Sequence, residues 1–243
     1  MIRKSHFAAT LAKLFGTAAV AATLCAAPAQ AGVLDFEGYA GNFVFDGPDN
    51  GVTLGNYYLE LAGGAFGSMT TTADSCTSDI ACPANNATTY FATLADGYTF
   101  LQMNDGSDFK LASIDASFFG FNGQTYPGVA GLLQVTAFNA FGAVGEVVLD
   151  LAGPVNGAFN FSTYDLTALG AGASFDTVRF VSYACVVGST TCTRSTNQAQ
   201  FALDNVTTYV PEPGSFALMG LGLFGIGAVA RRRKTAAATA IAA

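Results

Sequence analysis

The sequence predicts an all-β fold, a two-sheet antiparallel sandwich of jelly-roll type. Three observations predict it. Apolar and polar residues alternate with period two along the central region, and clusters of Gly, Asn and Asp punctuate the alternation. No long stretch there repeats with a helical period.

Taken in order, the first expected strands are residues 33–37, 42–45, 52–61, 89–94 and 98–103. The clearest alternation follows, in residues 109–118, 133–138, 146–151, 177–183 and 200–206, where polar side chains interleave with Val, Leu, Ile and Phe. Turn signals separate these runs: Asp46 to Gly51, Asp96-Gly97, Asn104-Asp105-Gly106, Phe121-Asn122-Gly123 and Gly153-Pro154. About ten short strands between such turns leave both faces of a sheet to be covered, and a second sheet covers one of them.

The two ends differ in character from this body. Arg3, Lys4 and Lys13 form a basic start, residues 14–27 an apolar run, and Ala29-Gln30-Ala31 an A-x-A site, which together read as a signal peptide over 1–31 cleaved after Ala31. Cys25 falls in the discarded part, and no cysteine stands at the cleavage point to carry a lipid. The expected ectodomain is then 32–209.

Four cysteines remain in it: Cys76, Cys82, Cys185 and Cys192. An even number in an exported chain points to disulfides, and sequence neighbours make Cys76–Cys82 with Cys185–Cys192 the simplest of three connectivities. Zinc is a poor competitor, because there is no CxxC and no histidine nearby.

Residues 32–210 carry three basic side chains (Lys110, Arg179, Arg194) against sixteen acidic ones, a formal charge of -13. Such a surface repels phosphate backbones and excludes nucleic acid as a partner, while it tolerates divalent cations and neutral glycans.

After the body comes Pro211-Glu212-Pro213, then an uncharged apolar run over 214–230, then Arg231, Arg232, Arg233 and Lys234. Seventeen helical residues reach about 26 Å, enough to span a bilayer as one transmembrane helix. The basic cluster acts as a cytoplasmic stop, so everything before Pro211 lies outside. By physics alone this is a single-pass anchor. A tripeptide, a Gly-rich span and a basic stop in that order resemble the PEP-CTERM sorting signal, here over 210–234. The resemblance implies recognition of Pro211, Glu212 and Pro213 by an exosortase-type membrane protease. It also implies transient anchoring in the inner membrane, then delivery to the cell surface, outer membrane or an exopolysaccharide matrix. The alanine-rich tail 235–243 departs from that pattern and has no account.

The body also resembles galactose-binding-like carbohydrate-binding jelly rolls. That resemblance implies a structural calcium held by an early acid and a late one, carried over here to Glu37 and Asp204, with Asp35 as the weaker ligand. The alternative is that Asp35 and Glu37 face water while Asp204 caps a turn.

Catalysis is not expected. The sole histidine, His6, lies in the signal peptide, which removes Ser-His-Asp and Cys-His pairs from the mature chain. Paired carboxylates of a polysaccharide hydrolase have no sequence spacing that identifies them. The first expectation is a structural or adhesive surface or matrix protein, with no catalytic residues and no cofactor beyond calcium. The alternatives are a carbohydrate-binding module retained in exopolysaccharide, then a hydrolase. Trp is absent, and Tyr57, Tyr58, Tyr90, Tyr98 and Tyr126 either make a sugar-stacking face or fill sheet rims.

Overall fold

The computed structural model describes residues 30–210 apart from 48, 190 and 195–197. The expected signal helix, the span 214–230 and the basic stop lie outside the described residues. Among the described residues no helix is long and apolar enough to cross a membrane.

Two seven-stranded sheets face each other, as the alternation predicts. The first sheet contains β1 (Gln30–Leu34), β2 (Phe43–Phe45), β5 (Phe66–Thr70), β7 (Tyr90–Leu94), β9 (Lys110–Phe118), β13 (Ser162–Asp165) and β16 (Phe201–Val210). Its order is β13-β9-β16-β7-β5-β2, with β1 also on β16. The second contains β3 (Val52–Leu54), β4 (Tyr57–Ala62), β8 (Tyr98–Met103), β11 (Val129–Asn139), β12 (Gly142–Ala152), β14 (Thr177–Cys185) and β15 (Cys192–Thr193). Its order is β12-β11-β14-β8-β4-β3, with β15 on β14. Both ladders are antiparallel along these paths. The first and last strands are neighbours, as expected of a jelly roll.

The alternation maps onto burial. In β4 the pattern runs buried, half-buried, buried, and Tyr57, Leu59 and Leu61 point inward. The inner layer joins Leu101, Val178, Phe180, Leu133 and Val135 of the second sheet to Met69, Phe91, Ile114, Phe118, Phe201 and Leu203 of the first. Rings make up much of it: Phe118, Tyr126 and Phe159 meet pairwise with centroids 5.2–5.8 Å apart. Phe109 meets Phe175 edge-on at 5.1 Å.

One expectation needs correction, and two strands of the first sheet were not expected at all. Residues 52–61 are not one strand but the hairpin β3–β4, turned at Gly55-Asn56, where Gly55 has φ 60°. Strand β5 escaped the pattern because Gly67 interrupts it. That glycine is required, since a Cβ there would lie 2.6 Å from the Phe91 ring. Strand β13, with its exposed Ser162 and Thr163, carries no apolar signal at all.

Both neighbour disulfides form, Cys76–Cys82 and Cys185–Cys192. The first closes a strap laid over the outer face of the first sheet. It starts in the short helix α1 (Thr72–Ser75) and continues through β6 (Ile80–Ala81), which pairs with β10 (Gly120–Phe121). Beneath it lies a second small core of Tyr90, Ala92, Phe119 and Ala202, with Ile80 packed against it.

Candidate functional site

Three places were marked by the sequence, and the structure treats them differently. The sorting tripeptide and basic stop begin just after β16 and lie outside the described residues. The acidic trio and the tyrosines lie within them.

Asp204 sits on β16 with 1% of its surface exposed. Its Oδ2 accepts from Asn86 Nδ2 at 2.6 Å and from Thr88 Oγ1 at 3.2 Å, and its Oδ1 accepts from the Asn205 amide at 2.8 Å. Glu37 Oε1 accepts from the Thr89 amide at 2.9 Å. The structure therefore brings Glu37 and Asp204 to one short segment, residues 86–89, which ends the strap. Asp35 turns back on its own loop, where Oδ1 accepts from the Glu37 amide. Calcium takes six to eight oxygen ligands. Here Asp204 faces N–H and O–H donors, and among the described residues no three His, Cys, Asp or Glu side chains gather. As placed, Asp204 and Glu37 are met by N–H and O–H donors and Asp35 by its own loop, so the three carboxylates do not gather as one ligand set.

Burial pushes the Asp204 carboxyl above the ordinary range, and the nearby Asp115 charge adds to it, against the lowering pull of its donors. In the folded chain Asp204 thus holds its proton more tightly than in the unfolded one. Its stabilising contribution is full below the unfolded value of about 3.9 and is lost as pH rises through the raised folded value. The Tm of Asp204→Asn relative to wild type is therefore expected to improve as pH rises from about 4. A flat difference would show that the carboxyl is not desolvated. Calcium added at neutral pH is expected to leave the wild-type Tm unchanged; a rise that Asp204→Asn loses would place the ion there.

The five tyrosines divide. Tyr57 is buried, its hydroxyl 2.5 Å from Thr208 Oγ1. Tyr90 lies under the strap, 2.5 Å from Ser75 Oγ. Tyr126 caps the turn before it, accepting from the Phe121 amide. Tyr58 and Tyr98 stand on the outer face of the second sheet, where a different constellation appears.

On that face the register lines up Glu60, Phe100, Arg179, Thr136 and Glu146 across β4, β8, β14, β11 and β12. The adjacent row is Ala62, Tyr98, Val181, Gln134 and Val148. Tyr98 and Phe100 rings lie 6.3 Å apart. The Arg179 guanidinium is 5.6 Å from the Tyr98 ring and 5.1 Å from that of Phe138, and the Arg194 guanidinium lies 4.2 Å from the Tyr98 ring. Arg194 also donates to the Asp96 carbonyl, and Arg179 Nη2 to Thr136 Oγ1 at 3.4 Å. Thr136 in turn donates to Glu146, and Tyr183 to Gln134 at 3.1 Å. Hydrogen bonding and charge from Arg194, with Arg179 behind it, pull the Tyr98 phenol below its ordinary range. Two of the three basic residues of the body thus converge on one tyrosine. Sequence reasoning missed this because the partners are far apart in the chain. Tyr98 among the candidate stacking residues and Arg179 within an alternating strand were the available signals.

An all-β sandwich with two disulfides defines the class, a protein built for an oxidising compartment. The particular address is then given by its tail: residues 210–234 match the PEP-CTERM protein-sorting motif, and the chain carries that export signal. No curated protein matches the sequence. Among solved structures it is similar to arabinose-bound MgGH51 α-L-arabinofuranosidase, at 10% identity and TM-score 0.42 over 76% of this chain and 27% of that one. It is similar also to the CBM22-2 xylan-binding domain of Paenibacillus barcinonensis Xyn10C (13%, TM-score 0.37, 74% and 99%). A third is the family 11 carbohydrate-binding module of Clostridium thermocellum with a mixed-linked tetrasaccharide (12%, TM-score 0.31, 69% and 95%). The chain spans about a quarter of the arabinofuranosidase.

Proposed function

We propose that this chain is a non-catalytic surface or matrix protein, handed by its C-terminal signal to an exosortase-type protease and left outside as a disulfide-pinned sandwich. The sorting motif at 210–234 carries the reading. The body supports it: no histidine in the mature sequence, no GxSxG nucleophile turn, and a net charge of -13 that disfavours polyanionic partners. In this reading the sandwich acts as an adhesive or structural module. A second reading, retention in exopolysaccharide, is favoured by the aromatic and polar outer face of the second sheet.

Fractionation with intact-mass measurement tests the first reading. The mature chain is expected in the surface or matrix fraction, beginning at Gly32, with an intact mass too small to reach Ala243 and both disulfides closed. A reduced chain in the cytosol, with leader attached and mass extending to Ala243, overturns it.

A further inference from the structure

We infer that the outer face of the second sheet is a binding platform for a neutral polysaccharide, laid across strands β4 to β12 and centred on Tyr98, Phe100 and Arg179. The inference rests on the retention reading above and gives it a site and a ligand class.

Three features of that face point to such a ligand. It presents half-buried rings beside long polar side chains, so apolar ring faces and hydrogen-bonding groups alternate over a short distance. A sugar has the same division, with C–H faces that stack on rings and hydroxyls at the rim. The row from Glu60 to Glu146 crosses five strands, about 19 Å at the usual strand spacing, which suits an extended polymer better than a single small molecule. Its polar groups are also held before a ligand arrives. Arg194 and Arg179 brace Tyr98, Thr136 links Arg179 to Glu146, and Tyr183 orients Gln134. A braced face loses little side-chain freedom on binding.

Charge selects the class. The body carries -13, and this face sets Arg179 and Arg194 against Glu60, Glu146 and Asp150, so it too carries no positive excess. A face without positive excess on an acidic body repels a polyuronate and leaves an uncharged polymer as the class it accepts. Exposed Phe43 and Phe45 at the edge of the first sheet form the rival surface, Phe43 stacked on Phe66 at 5.7 Å and Phe45 tilted against it at 5.4 Å. That patch lacks any comparable polar set, and hydroxyl recognition needs one.

The test is affinity electrophoresis of the full chain through gels containing a neutral β-glucan, a neutral xylan or polygalacturonate, at low and high salt. Retardation is expected in at least one neutral gel and is expected to persist at high salt. Tyr98→Ala and Phe100→Ala are each expected to weaken it by about tenfold while melting as the wild type does. Two folded variants guard against a single one that fails to fold. Undiminished retardation in both variants overturns the site. Retardation by polygalacturonate alone, released by salt, overturns the neutral class and leaves polysaccharide retention standing. No retardation in any gel overturns both the platform and retention, and the sorting reading is then judged by fractionation alone.

Discussion

Phe118→Ala is expected to lower the stability of the sandwich by about 3–5 kcal/mol, the range for emptying a packed aromatic site. Phe118 closes β9 with 1% of its surface exposed, and its ring meets Tyr126 at 5.8 Å and Phe159 at 5.5 Å. The backbone is fitted to it as well. A Cβ on Gly131 of the opposite sheet would lie 2.5 Å from the Phe118 ring, so β11 has given up a side chain there to admit the ring. A void left by alanine therefore has no large neighbour on β11 able to fill it, and the cost belongs at the upper end for a core phenylalanine. Urea denaturation of wild type and variant measures the difference. A loss below about 1 kcal/mol would mean that the Tyr126 and Phe159 rings collapse into the space.

The same three rings show how far the sequence could be read. Phe118 ends the alternating run 109–118, and its inward face follows from the period alone. Phe159 lies between strands, flanked by Ala158 and Asn160, with nothing local to mark it as core. It is buried because its backbone bridges to Pro83 within the strap, a contact across 76 residues. The strands were legible wherever period two held, and illegible where a glycine such as Gly67 or a polar edge such as β13 broke it.

The site divides in the same way. The export signal was readable because its three parts lie in order within 25 residues. The rows on the second sheet were not, because register assembles them: Arg179 meets Phe100 and Thr136 only after strands distant in sequence have paired. The acidic corner was half legible. Adjacency of the first and last strands brought Glu37 and Asp204 to the same segment, but the donors of Asn86 and Thr88 that fill the space had no signal in the sequence.

Removing the Cys76–Cys82 bridge by replacing both cysteines with serine is expected to cost more than removing Cys185–Cys192, although the loops are nearly equal. Sequence separations of 6 and 7 give each bridge about 2.4 kcal/mol by loop entropy. What differs is what each loop covers. The first bridge pins the strap over Tyr90, Ala92, Phe119 and Ala202, and the strap ends at Asn86 and Thr88, which supply the donors to buried Asp204. Loosening it exposes apolar surface and removes partners from a buried carboxylate, and each of these adds its own cost. The second bridge joins β14 to the two-residue strand β15, beside exposed Val186 and Val187, with no comparable core beneath. Thermal unfolding of the two double-serine variants is expected to rank them in that order. Hydrogen exchange should show Phe91 and Ala92 amides losing protection in the first variant alone. Equal losses of Tm in both would show that loop entropy is the whole effect and that the strap stays down without its disulfide.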